Sequence, residues 1–131
     1  MATVGDVISI AAKHLGLSAQ GQAASGADHL VLEAEFNGLM HELSASFALK
    51  DEAGVAYTHT DQTTGDTLAI GDRFVTGLGA MVAERTTYLG TGNLRPETRV
   101  SAGRGYGLIA GAFQKTVTQD AGLLSRLRTY T

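Results

Sequence analysis

The sequence of 131 residues contains no cysteine and a single proline. Without cysteine, the chain has no disulfide, no thiol nucleophile and no cysteine metal ligand. It also lacks an apolar run near the roughly 20 residues of a membrane span, and its start, Met-Ala-Thr-Val, lacks the basic stretch and apolar core of a signal peptide. Because a domain is typically about 100–150 residues long, we expect one domain. The missing features leave a soluble intracellular protein, or one that assembles inside a cell, as the expectation.

Charge is unevenly distributed along the chain. Residues 1–72 carry 2 basic and 10 acidic side chains, whereas residues 73–131 carry 8 basic and 3 acidic ones, within a formal net charge of −3. Two halves of opposite charge can fold against each other, or they can pair head to tail with further copies of the chain. Apolar residues make up 44% of the chain, which is typical of a globular protein.

Apolar residues recur at helical spacing in four segments. Thr3 and Asp6 predict a capping box for the first helix, and Gly16 predicts its end. Asp72 is the expected cap of the third helix, and Pro96 opens the fourth. The predicted helices cover residues 4–15, 27–44, 72–85 and 96–115.

The fold class that follows is all-α: a small bundle of about four helices, with a long loop (46–71) and an extended C-terminal arm. The expected boundaries are 1–116 for the helical domain and 117–131 for the arm. Residues 55–60 are expected to form a short extended piece within the loop. Connections this long are usually functional or mobile.

Glycine is abundant, with 17 residues. Gly77 and Gly79 lie inside the third predicted helix, where each costs about 1 kcal/mol relative to alanine. We therefore expect them to allow close helix packing. The fourth predicted helix is also glycine-rich, and its expected inward residues are Ala102, Tyr106, Ile109, Ala110 and Phe113.

No catalytic motif is present in the sequence. It has no Gly-x-Ser-x-Gly elbow and no phosphate loop, and Gly103-x-Gly105-x-Gly107 lacks a preceding strand. We expect no enzymatic activity, no catalytic residues, no cofactor and no metal site. The histidines are expected to be surface residues without a ligand cluster, and the glutamates of the second helix to form a solvated face: His14, His29, His41 and His59; Glu33, Glu35 and Glu42.

Basic residues accumulate late in the chain, at Arg95, Arg99, Arg104, Lys115, Arg126 and Arg128. They predict ion pairs with the acidic half of a neighbouring copy, or a surface that faces nucleic acid without reading its sequence. An alternative interpretation is a small helical nucleic-acid-binding or regulatory module. The sequence pI of about 5.7 and the small number of aromatic residues argue against that alternative.

Three stretches occur in a characteristic order. Residues 3–17 begin Thr-Val-Gly-Asp-Val-Ile and end His-Leu-Gly-Leu. Residues 33–43 are Glu-Ala-Glu-Phe-Asn-Gly-Leu-Met-His-Glu-Leu, and residues 68–90 run from Leu-Ala-Ile-Gly-Asp-Arg-Phe to Tyr-Leu-Gly. In this order they resemble the first helix, the second helix, and the loop, third helix and closing Tyr-Gly of the head-to-tail adaptor proteins of tailed bacteriophages, also called connector, head-completion or tail accessory factor proteins.

The resemblance implies a virion structural protein, assembled in the host cytoplasm and located in the neck between head and tail. Such proteins form a ring, usually a dodecamer, which binds the portal protein, extends the DNA channel and provides the attachment platform for tail components. The resemblance also implies that the long loop (46–71) projects toward a neighbouring copy or the next tail component. The implied partners are therefore portal, tail components, other copies and, non-specifically, packaged DNA, with no membrane. The implied subunit-interface or channel residues are Arg95, Arg99 and Arg104, and the implied portal-docking residues of the arm are Leu123, Leu124, Arg126, Leu127, Arg128 and Tyr130.

Overall fold

The computed structural model describes residues 1–17, 26–87 and 95–114. This part of the chain is an all-α bundle without a β-strand, which confirms the predicted fold class. None of its helices is long and apolar enough to cross a membrane. The helices are α1 (Val4–Leu15), α2 (Gly26–Ser46), α3 (Val75–Arg85) and α4 (Pro96–Ala112).

Helix α1 begins and ends as the sequence predicts. Thr3 Oγ1 accepts a hydrogen bond from Asp6 N at 3.3 Å, and Asp6 Oδ2 accepts one from Thr3 N at 2.9 Å. This reciprocal pair satisfies two amide groups at the helix start. At the other end, Gly16 adopts φ 71°, a left-handed conformation that glycine takes without the steric cost of a side chain.

The start of α3 differs from the prediction. Asp72 does not cap the helix, because it lies in a 3₁₀ turn (Asp72–Phe74) that precedes α3. Its Oδ1 instead accepts a hydrogen bond from Ala2 N at 2.7 Å. The Asp72 carboxylate therefore connects Ala2 to the 3₁₀ turn that precedes α3.

Helix α3 packs against α1 and α4 through glycine. A Cβ atom added at Gly77 would lie 2.5 Å from Gly105 Cα of α4, and one added at Gly79 would overlap Ile10 of α1. Real Cβ atoms do not approach other atoms so closely, so both positions require glycine at this backbone separation. The expectation that these glycines allow close packing is confirmed.

Helix α4 presents a slightly different inward face from the predicted one. Ala102, Ile109 and Phe113 are buried as expected, and Ala110 is partly buried, but Tyr106 is 49% exposed. The reason is that Gly105 occupies the position of α4 that lies against α3, so the next residue, Tyr106, lies to one side of this contact. The buried core of the bundle comes from all four helices, and its largest fully buried side chains include Phe36, Phe74, Ile8, Leu32, Met40, Leu78 and Ile109.

The segment between α2 and α3 lies against the helices over much of its length. Leu49, Leu68 and Ile70 are buried in the core. Two carbonyl groups of this segment, at residues 64 and 66, accept hydrogen bonds at 2.9 Å from Gly5 N and Val4 N, the first amides of α1. For these parts, the expectation of a projecting loop was wrong, because the segment completes the N-terminus of α1.

The longest exposed run of this segment is residues 52–56, and further exposed residues follow as far as Thr67. The expected extended piece amounts to one isolated antiparallel bridge, between Lys50 and Ala56. Asp51 holds this turn, since its Oδ1 accepts hydrogen bonds from Ala53 N and Val55 N.

Candidate functional site

The three predicted interface arginines lie on α4 but not on one face. Arg95 precedes the helix as its N-cap residue, and Arg99 and Arg104 are exposed on it. At about 100° per residue, Arg99 and Arg104 point about 140° apart around the axis. Within the described ranges, none of the three forms an ion pair. The structure therefore places them on two flanks of α4 rather than in one patch.

A groove of about 560 Å³ runs between α2, α3 and α4. Arg99 lies on its rim together with Glu42, Glu84 and Arg85. The Phe47 and Tyr106 rings, which also line the groove, pack edge to face with 5.6 Å between their centroids. The apolar floor consists of Leu39, Leu43, Met81 and Ala102.

Arg85 connects the acidic and basic halves of the chain beside this groove. Its Nε donates to Glu35 Oε2 at 3.2 Å, and its Nη1 donates to Glu42 Oε2 at 2.7 Å. Glu33 is also engaged, because its Oε2 accepts from Thr64 N and Thr64 Oγ1. The expectation of a merely solvated glutamate face on α2 was wrong, since these partners come from segments far away in the sequence.

A buried polar network centres on His59. Asn37 Nδ2 donates to two backbone carbonyls, those of Glu33 and Gln62, and Asn37 Oδ1 accepts from Gln62 N at 2.8 Å. This pattern fixes the orientation of the amide, so its oxygen faces His59 Nε2 at 2.8 Å. His59 Nε2 must then carry the proton, and Nδ1 accepts from the Tyr57 hydroxyl, also at 2.8 Å.

The environment of His59 favours its neutral form. Only 3% of the residue is exposed, and burial, followed by the nearby His41, lowers its pKa below the usual 6.5, while Asp61 acts in the opposite direction. Burial also raises the pKa of the neighbouring Tyr57 hydroxyl. Both groups therefore remain uncharged at neutral pH, which suits a network of neutral hydrogen bonds.

His41 and Asp61 complete a three-residue cluster with His59. His41 Nε2 lies 2.7 Å from Asp61 Oδ1, and the His41 and His59 rings pack edge to face with centroids 4.8 Å apart. One nitrogen of each histidine and one Asp61 oxygen all lie within 4.8 Å of one another. The expectation of a surface histidine was wrong at His59, which is buried, and right at His41, whose side chain is 52% exposed. Both belong to a group of ligand-type side chains that was not expected from the sequence.

Sequence spacing gave little indication of this cluster. His41 lies on α2, whereas His59 and Asp61 lie on the following segment, 18 and 20 positions later. The one local signal is the alternation His59-x-Asp61, which places two ligand-type side chains on one side of an extended chain.

Within the described parts of the chain, His14 and His29 each have one hydrogen-bond partner. His14 Nδ1 lies 2.8 Å from Thr98 Oγ1 of α4, and His29 Nε2 lies 2.5 Å from Thr64 Oγ1. Burial and the Arg95 cation lower the pKa of His14. These two histidines serve to connect elements of the bundle.

The portal-docking residues assigned to positions 123–130 lie outside the described residues. No protein-family model, curated protein or solved structure matches the chain.

Proposed function

We propose that this protein is a virion structural protein that forms a ring between the portal and the tail of a tailed bacteriophage. In this role it extends the DNA channel and provides the platform for tail attachment. The order of elements supports the proposal. The first resembling stretch is α1 with its caps, the second lies inside α2, and the third includes the 3₁₀ turn and α3.

The observation that carries the proposal is that two exposed arginines of α4 have no ion-pair partner among the described residues. Among the described residues, Arg85 is the one arginine that forms ion pairs with the acidic half of the chain. Arg99 and Arg104 are exposed and form no ion pair with any residue that the structure describes. Because a ring joins two different faces of neighbouring subunits, these arginines are available for the carboxylates of the next copy.

The separation of Arg99 and Arg104 allows two roles. Arg99 faces the groove that α4 shares with α2, whereas Arg104 lies on the opposite flank of α4. In the ring, one flank contacts the neighbouring subunit and the other faces the channel, where arginine attracts DNA phosphate without reading sequence.

Exposed apolar residues beside Arg104 also support an assembly role. Val100 is 54% exposed and Leu108 is 45% exposed, and they lie four residues before and after Arg104. Side chains at this spacing share one side of a helix. An apolar–basic–apolar stripe suits contact with another protein surface better than it suits open solvent.

The experiment that tests the proposal is an affinity pull-down with the full chain from cells that produce the cognate particles, with bound proteins identified by mass spectrometry. We expect recovery of a portal protein and of tail components. A chain that ends at residue 116 provides the control, because the resemblance assigns portal docking to residues 117–131. Recovery of DNA or a regulatory protein without any virion protein would contradict the proposal and favour the nucleic-acid-binding module.

A further inference from the structure

We propose that His41, His59 and Asp61 form a binding site for a divalent transition-metal ion of the zinc type. The geometry points to this, because two imidazole nitrogens and one carboxylate oxygen converge within 4.8 Å. Imidazole and carboxylate are ligands that zinc accepts, and three protein ligands plus water form a common zinc site. The proposal is independent of ring assembly.

His59, the buried residue of the proposed site, is held in position before a metal binds. His59 is held from both ring nitrogens by Tyr57 and Asn37, and Asn37 is itself fixed by three hydrogen bonds to backbone groups. The Phe36 ring packs edge to face against His59, with centroids 6.0 Å apart. Metal-binding histidines usually donate their other ring N–H to such a partner, as His59 Nε2 does to Asn37 Oδ1, and this bond orients the ring and fixes its tautomer.

A bound ion replaces hydrogen bonds that the ligand atoms of the cluster form without metal. His59 Nδ1 is the ligand atom that suits it, because Nε2 carries its proton toward Asn37 Oδ1 and Nδ1 presents its lone pair. The ion takes the place of the Tyr57 hydroxyl at Nδ1, and Nε2 continues to donate to Asn37 Oδ1. Asn37 Oδ1 keeps its hydrogen bond from Gln62 N, so no buried acceptor is left unsatisfied.

Closure of the site requires a small movement of its exposed members. Tetrahedral zinc with bonds of about 2.0–2.1 Å places its ligand atoms about 3.3 Å apart, which is closer than the 4.8 Å span of the present cluster. The side chains of His41 and Asp61 are 52% and 79% exposed, so they move at little cost while His59 stays in place. Solvent supplies the remaining ligand.

Metal binding in this place joins two elements. His41 belongs to α2, and His59 and Asp61 belong to the segment that completes the N-terminus of α1. Because an ion that binds only the folded arrangement stabilises it, zinc should raise the unfolding temperature of the chain.

The test uses the full chain without a histidine tag, treated with chelator, dialysed and titrated with zinc chloride in a calorimeter. Thermal unfolding is measured in parallel with and without zinc. We expect one bound zinc per chain and a higher unfolding temperature with zinc. His41→Ala and Asp61→Asn should each weaken zinc binding by more than about tenfold, while their metal-free unfolding temperatures stay close to that of the wild type.

His29→Gln provides the matched control, since His29 lies on the same helix, outside the cluster. It should bind zinc as the wild type does. The proposal is overturned if zinc gives neither heat nor a shift in unfolding temperature. Equal binding by the wild type and His41→Ala would also overturn it. The test does not rely on His59→Ala, which removes a buried side chain and is expected to unfold the segment.

Discussion

At the scale of the residue, His14 links protonation to stability. Its Nδ1 contacts Thr98 Oγ1 at 2.8 Å, and burial and Arg95 lower its pKa from 6.5. Because the unfolded chain then binds the proton more tightly than the folded chain, protonation favours unfolding. The stability that neutral His14 contributes to the folded chain is complete above pH 6.5. It is lost as the pH falls from 6.5 through the lowered pKa of the folded state.

We therefore predict that His14→Gln reduces the acid sensitivity of the fold. The unfolding temperature of the wild type should fall more than that of the variant between about pH 7.5 and pH 5.5. Thermal unfolding followed by circular dichroism measures both slopes. All other titrating groups are shared, so the difference between slopes reports His14. Parallel slopes would show that the charge state of His14 is not linked to folding.

Residue-scale features could be predicted from the sequence only where both partners are close in the chain. The Thr3–Asp6 capping box spans three positions and was recognisable from its residue types. Asp72 looked like a local cap, but its partner is Ala2, 70 positions away. The His41, His59 and Asp61 cluster was missed for the same reason, since folding brings its members together.

At the scale of the element, the contact between α3 and α4 depends on Gly105. We predict that Gly105→Ala destabilises the protein by about 1–3 kcal/mol, because the new methyl group would meet Gly77 and push the helices apart. The free energy of unfolding in urea measures the effect.

Gly107→Ala is the control for this prediction, since it changes the same helix at a position where an added Cβ meets nothing within 4 Å. We expect it to stabilise the protein by about 0.5–1 kcal/mol through helix propensity alone. If both variants were more stable than the wild type, close helix packing would not be the reason for glycine at position 105.

The helices themselves were the most predictable elements. The apolar spacing gave the bounds of α1 as observed, and those of α2 and α4 to within three residues, because one continuous face of each is buried. The flank position of Tyr106 was not predictable, because it follows from the backbone approach of two glycines on different helices. The course of residues 47–71 was also unpredictable, since its hydrogen-bond partners lie on α1 and α2.

At the scale of the whole molecule, the proposed ring depends on α4. We predict that Arg104→Glu reduces ring formation strongly, measured by sedimentation and electron microscopy, while the stability of the single chain changes by no more than about 0.5 kcal/mol. Arg104 is exposed and forms no ion pair with the described residues, so its reversal breaks no intramolecular contact that they make.

Lys50→Glu is the matched control for Arg104→Glu, with the same change of charge at an exposed position of the acidic half. It should assemble as the wild type does. Intact rings from both Arg104→Glu and Arg99→Glu would contradict the role of charge pairing between copies.

The arm gives a second prediction at this scale. A chain that ends at residue 116 should keep the helical content and unfolding temperature of the bundle and lose attachment to portal. Circular dichroism and co-sedimentation with portal measure the two properties separately. Unchanged attachment would show that residues 117–131 are not the docking segment.

The hydrogen bonds between the start of α1 and the segment before α3 have a consequence for the order of folding. Helix α1 is synthesised first, but its leading amides find their acceptors only at residues 64 and 66, and Ala2 N finds its acceptor at Asp72. These amides therefore cannot pair with their acceptors in the folded protein until residues 64–72 have been synthesised. Closing so long a loop is entropically costly, which makes this junction a late step in folding.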